Sequence, residues 1–188
     1  MDLAIISGVA GLVAKAAAFV HDATVTDEGF IRAYYLEVSQ NIEILKTVDI
    51  NSLKEKEIAS PEFRSLINSL NTEVGAALLC TNVAERKRIL SFLAQGLDID
   101  SPPNNSFLIE TGDDENADQP PVYHLRADVL KAVWFTVQKI ELLKTLSALK
   151  KQYFNTGFRL NVRMANINER FRLIRRKLAE NDAMKSLR

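Results

Sequence analysis

The chain has 188 residues, 47% hydrophobic and 26% charged, with 24 basic residues balanced by 24 acidic ones. That is enough for one ordinary core, and the zero net charge excludes a generally basic nucleic-acid binder and an acidic tail protein. One cysteine excludes a disulfide framework and a cysteine-built zinc site, while seven glycines and five prolines are too few for a turn-rich sandwich or barrel.

Leu3 to Val20 read LAIISGVAGLVAKAAAFV, interrupted by the single charge of Lys15. Asp2 is the only early charge, so the positive flank of a secretory signal is missing. The run is short for a membrane span, carries Lys15 inside it, and is dominated by alanine and glycine. Two readings stay open. Ile5, Val9, Leu12, Ala16 and Phe19 make a 4-3-4-3 seam that suits a buried helix. The same helix, with small residues at Ser7, Gly8, Gly11, Ala14 and Ala18, could instead leave the bundle for a membrane. In that case Ile5, Ile6, Val9, Leu12, Val13 and Phe19 are the membrane-contact candidates.

After His21 comes a polar break, with Thr26 as a candidate N-cap. Ile31, Tyr35, Val38, Ile42 and Leu45 predict a helix ending near Asn51, followed by a polar connection over 52–59. Ser60-Pro61-Glu62 is a helix start, with a capping serine, a first-turn proline and an acid at the positive end of the dipole. Phe63, Ile67, Leu70, Val74 and Ala77 continue the period, raggedly extended by Ile89, Leu90, Phe92 and Leu93 to a C′ glycine at Gly96. Gly75 or Thr81-Asn82 are candidate kinks, leaving one helix or two over 61–95. Cys80, in an apolar run, reads as a buried small residue.

Residues 97–121 read as an unstructured acidic connector. They carry Asp98, Asp100, Glu110, Asp113, Asp114, Glu115 and Asp118 without a lysine or arginine, between Pro102-Pro103 and Pro120-Pro121. Phe107-Leu108-Ile109 is its one apolar patch, able to dock the loop or form a short strand. From Leu125 the helical period returns through Val133, Val137, Ile140, Leu143, Leu146 and Leu149, with Trp134 and Leu142 widening the apolar face. A turn is expected at Asn155-Thr156-Gly157. The regular 4-3-4-3-4 seam of Leu160, Met164, Ile167, Phe171, Ile174 and Leu178 follows it.

Gln40-Asn41-Ile42-Glu43-Ile44-Leu45-Lys46-Thr47-Val48 aligns with Gln138-Lys139-Ile140-Glu141-Leu142-Leu143-Lys144-Thr145-Leu146 at six of nine positions. This predicts an all-α single domain over 1–188, an antiparallel four-helix bundle of two duplicated helical hairpins plus an N-terminal apolar helix. The apolar helix spans 1–22, the hairpins 27–95 and 124–184, and the acidic connector 97–121.

No arrangement points to catalysis, a metal or a cofactor. Neither histidine, His21 or His124, lies in a Glu-x-x-His pair, and no strand precedes Gly8 and Gly11 to make a phosphate loop. Glu43 and Glu141 occupy equivalent repeat positions, but Lys46 and Lys144 follow each at i+3, the spacing of surface ion pairs. The last helix is basic, and Arg163, Arg170, Arg172, Arg175, Arg176 and Lys177 are the basic-surface candidates, either solvated or facing an anionic surface.

The N-terminal run Ile5-Ile6-Ser7-Gly8-Val9-Ala10-Gly11-Leu12-Val13-Ala14-Lys15-Ala16, with Asp2 before it, resembles HeLo and HeLo-like domains. It is similar in outline to mixed-lineage kinase-like and plant mildew-resistance-type cell-death bundles. The resemblance implies a helical bundle that, when triggered, releases its first helix to disturb a membrane. The residues themselves point to a non-enzymatic, cytoplasmic helical protein acting through a protein partner or self-association. The alternative is a membrane-active bundle peripheral to an anionic membrane surface, and nucleic acid is not an expected partner.

Overall fold

The computed structural model describes residues 26–55, 60–80, 86–98, 108–111, 124–148 and 159–185. Residues 1–25 lie outside that set, and with them the N-terminal helix, His21 and the candidates Ile5, Ile6, Val9, Leu12, Val13 and Phe19. The expected turn at Asn155-Thr156-Gly157 also falls outside it. The fold is mostly helical, of all-α character, with one small sheet.

Helix α1, Asp27–Lys46, begins as its caps dictate. Thr26 is extended, its hydroxyl accepts from the Gly29 N–H at 3.1 Å, and Asp27 and Glu28 occupy the positive end. Ile50–Glu55 form a 3-10 turn where a polar connection was expected, because Leu53 is buried and this turn packs on the later helix Leu160–Ala179.

Helix α2, Pro61–Ser69, starts as predicted: Ser60 accepts from the Phe63 N–H at 3.2 Å, with Pro61 in the first turn. The stripe Phe63, Ile67, Leu70, Val74 and Ala77 is buried throughout. The backbone beneath it is nevertheless cut into α2, α3 (Glu73–Cys80) and α4 (Lys87–Ala94). The first cut falls at Leu70–Thr72, ahead of Gly75 and of Thr81-Asn82. Leu70 is extended, and Asn71 Oδ1 accepts from the Glu73 N–H at 3.0 Å, the local bonding by which asparagine competes with a helix. Cys80 ends α3 exposed rather than buried. After α4, Gly96 takes φ 72, the left-handed conformation that favours glycine, and its N–H donates to the Leu93 carbonyl at 3.1 Å.

The apolar patch of the connector forms a short strand at Leu108–Thr111, one of the two outcomes open to it, but the sheet that it joins was not expected. Strands β1 (Leu97–Asp98), β2 (Leu108–Thr111) and β3 (His124–Ala127) form an antiparallel sheet in the order β1-β3-β2. Ala127 pairs with Leu97 on one side and Leu108 on the other. Residues 124–127 are therefore strand, not the start of a helical hairpin. The following helix, α5 (Val129–Ala148), waits for Asp128, whose carboxylate accepts from the Lys131 N–H at 2.8 Å. Helices α6 (Leu160–Ala179) and α7 (Asp182–Lys185) complete the described chain.

Helix α6 packs against both α1 and α5, α3 and α4 also touch both of those, and α2 lies on α5. All six seam residues of α6, from Leu160 to Leu178, are buried, as are Val133, Val137, Ile140, Leu143 and Leu146 of α5. Each such side chain contributes about 1.5–3 kcal/mol of burial. No described helix is long and apolar enough to cross a membrane.

Helices α1, α3 and α5 meet at Gly75. A Cβ there would stand 3.0 Å from Val137 Cγ2 and 3.2 Å from Tyr34 Cε2. Both neighbours are held, Val137 by its branched stem in a helix and Tyr34 by complete burial. Gly75→Ala should therefore lower stability by about 1 kcal/mol, because overpacking of about 1–3 kcal/mol outweighs the roughly 1 kcal/mol helix gain of alanine. Chemical denaturation measures this, and a stabilised variant would show that the helices can separate freely.

Candidate functional site

Two features stand apart from ordinary core packing: a polar cluster inside the helices and an uncovered face outside them. The cluster is built on α1. Tyr34, Glu37, Val38, Asn41, Ile42 and Leu45 share its buried side, so a carboxyl and an amide sit among apolar neighbours. Asn41 grips the backbone of Asn71 in both directions: its Nδ2 donates to the Asn71 carbonyl, and its Oδ1 accepts from the Asn71 N–H at 2.9 Å. Glu37 accepts from Val74 N–H at 2.7 Å on one oxygen and from Gly75 N–H at 3.0 Å on the other. It thereby caps α3 from a different helix. On the far side, the Thr72 hydroxyl donates to Glu141 Oε1 of α5 at 2.6 Å, and Lys144 pairs with that same oxygen at 3.1 Å.

Burial pushes the Glu37 carboxyl up to about 7, with the nearby Glu73 adding to the rise. The two backbone N–H donors and Lys144 pull the other way without overcoming it. Burial, and then Glu37, likewise raises the Tyr34 phenol. A carboxyl near 7 is what a general base requires, but both of its oxygens are taken by the α3 N-terminus and it is 5% exposed. Its work is to hold α3. Among the described residues, no group of three or more histidine, cysteine, aspartate or glutamate side chains could hold a metal ion.

The repeat carboxylates do not meet. Glu43 is exposed and pairs with Lys46 at 2.7 Å, while Glu141 lies against Thr72. Both i,i+3 ion pairs form at the predicted spacing, but only Glu43–Lys46 is a surface pair; Glu141 and Lys144 are largely covered.

The outer face of α5 is different in kind. Trp134 is 56% exposed and Leu142 37% exposed, so neither widens the core. Trp134, Gln138, Leu142 and Thr145 run at 4-4-3 spacing down one stripe, one or two residues on from the buried Val133, Val137, Ile140 stripe. They line a shallow groove of about 240 Å³ with Phe135, Lys139 and Glu141. Phe135 is held in position by two cations, the Arg170 guanidinium 3.6 Å and the Lys139 ammonium 5.6 Å from its ring centre. No family model, curated protein or solved structure matches the chain.

The basic-surface candidates are dispersed. Arg170 and Lys177 are buried, a correction to their placement on a surface. Arg170 stacks on Phe135, donates to the Asn166 carbonyl at 2.7 Å, and is lowered by burial to about 10. Lys177 sits 4.5 Å from the Phe92 ring centre and 2.8 Å from Glu180. Arg172 pairs with Glu169 at 3.3 Å, Arg163 and Arg175 are half-buried, and Arg176 is exposed. Aromatic rings on α5 and α4 draw the two buried cations inward.

Sequence reasoning missed Glu37, Asn41 and the exposure of Trp134. A helical wheel carried the signal for all three. Glu37 and Asn41 fall beside Tyr34 and Val38 on the seam, and Trp134 with Leu142 falls off it.

Proposed function

We propose that this chain is a non-enzymatic helical protein that acts by binding a helix of a partner protein along the outer face of α5. The observation that carries the proposal is Trp134, a large aromatic side chain 56% exposed on a groove rather than in the core. The row from Trp134 to Thr145 is about 16 Å long, three helical turns, which matches helix-in-groove binding. Lys139 lines one side of this groove, and the Glu141 charge opposite is engaged by Lys144. The fitting partner is therefore an amphipathic helix with an acidic residue beside its apolar row.

Trp134 is the only tryptophan, so its emission reports on this face directly. An acid-flanked amphipathic peptide should shift the emission to shorter wavelength, and a lysine-flanked peptide of the same apolar row should bind at least about tenfold more weakly, or 1.4 kcal/mol. Leu142→Asp should weaken the first peptide similarly. Indifference of Trp134 to both peptides would overturn the reading.

The same reading takes the helices as a four-cornered bundle of two related hairpins, with α2, α3 and α4 together filling one corner. Matching burial of Ile42 with Ile140 and Leu45 with Leu143 in the repeated segment supports it. The membrane-active alternative depends on residues outside the described set and on cations of which Arg170 and Lys177 are buried, so no described observation favours it.

A further inference from the structure

We infer that the partner helix is supplied by a second copy of this chain, whose α1 lies along the outer face of α5, so that copies join head to tail. This rests on the reading of that face as a docking surface for an acid-flanked helix. The repeat provides the first observation. The alignment that matches Gln40 with Gln138 and Ile44 with Leu142 also gives Leu36 the place of Trp134. Both side chains face outward, Leu36 57% exposed and Trp134 56%. Each helix therefore carries an outward row at four-residue spacing. On α1 it is Leu36, Gln40 and the half-buried Ile44, and on α5 it is Trp134, Gln138 and Leu142.

The α1 row has the chemistry that the α5 groove calls for, because the exposed Glu43 stands beside Ile44. Lys46 holds one of its oxygens at 2.7 Å, but both members of that pair are more than half exposed and a carboxylate accepts from several donors. Charge then selects a direction. Glu43 lies about 60° to one side of Gln40 around its helix, and Lys139 about 100° to the other side of Gln138. Facing helices that run the same way exchange left and right, so with Gln40 against Gln138 these two sides coincide. Glu43 of the second copy then stands only about 3 Å farther along the axis than Lys139. An antiparallel pairing would carry it to the Glu141 side, acid beside acid. The same parallel register sets Leu36 and Ile44 against Trp134 and Leu142, with the two glutamine amides, each donor and acceptor, between them. Arg32, one turn before Leu36, has its charge met by Glu28 at 3.6 Å. Helix α6 packs against both α1 and α5, and the two rows are separate surfaces. A copy that gives α1 to one neighbour keeps α5 for another, so association continues past a dimer until a ring closes or a filament grows.

The test is sedimentation velocity of the full chain from micromolar to millimolar concentration, with folding followed by circular dichroism. Wild type should pass beyond a dimer as concentration rises. Leu36→Asp and Leu142→Asp should each weaken association at least about tenfold. An equimolar mixture of the two should form a one-to-one pair and stop there, because one intact α1 row meets one intact α5 row. Should either variant unfold, Glu43→Lys and Lys139→Glu, neither of them at a core position, decide instead. Each alone should associate about tenfold more weakly at low salt, and their mixture should regain wild-type association. Self-association of Leu36→Asp at wild-type strength would overturn the inference, because α5 would then pair without the α1 row. Wild type that stays monomeric while an acid-flanked peptide shifts Trp134 would overturn the inference and leave the docking reading standing. Monomeric wild type with no peptide response would overturn both.

Discussion

The stability of this protein should fall as pH rises from 4.5 to about 7, and Glu37→Gln should remove most of that fall. In the folded chain the Glu37 carboxyl titrates near 7, against an ordinary 4.5. Between those values the folded state keeps the Glu37 proton that the unfolded state releases. Lower pH therefore favours folding, and the contribution is lost as pH climbs through about 7. A displacement of that size corresponds to about 3 kcal/mol. The cause is burial: two backbone donors and Lys144 stabilise the anion, but not enough to replace water. Glutamine keeps an acceptor for one of the two α3 N–H groups and carries no charge, so its stability should be nearly flat over this window. Denaturant unfolding of both proteins at several pH values reads the difference, which cancels the contributions of other carboxyl groups. Parallel curves would show that Glu37 is solvated in the folded state.

Legibility in the sequence followed the range of the interactions. The helical class and the buried stripes were readable because they depend on residues three and four apart: all six seam positions of α6 and all five of the described α5 stripe are buried. The caps at Thr26 and Ser60-Pro61 were readable for the same reason. The break at Leu70–Thr72 was not, since it is held by Asn41, thirty residues earlier in the chain, and by Glu37. Nor was the sheet, whose central strand pairs Ala127 with both Leu97 and Leu108. Burial of Arg170 and Lys177 depended on rings brought in by other helices, Phe135 and Phe92. Trp134 and Leu142 were misread because hydrophobicity alone does not say which side of α5 finds a neighbour. Helix α5 carries more apolar surface than α2, α3, α4 and α6 cover, and that excess marks the candidate site.

Asn41→Asp should cost about 3 kcal/mol at pH 8 and recover most of it below pH 5, a larger effect than a single atom exchange ordinarily produces. The wild-type amide is fully buried and both gives to and takes from Asn71. A carboxylate can still accept from the Asn71 N–H, but its other oxygen faces the Asn71 carbonyl, acceptor against acceptor, and its charge lies one helical turn from Glu37. Protonation restores a donor for that carbonyl and removes the charge, so stability returns as the new carboxyl takes up its proton. Asn41→Ala, which removes both bonds to Asn71 at every pH, should instead lose about 1–3 kcal/mol with no such recovery. The contrast separates hydrogen bonding from packing, because aspartate and asparagine fill the same space. If Asn41→Asp proved as stable as wild type at pH 8, water would have to reach the side chain at position 41, which is fully buried in the wild type. The Leu70–Thr72 break would then be a flexible joint rather than a clamped one, and the polar hold on α3 between α1 and α5 would rest on Glu37 and Thr72.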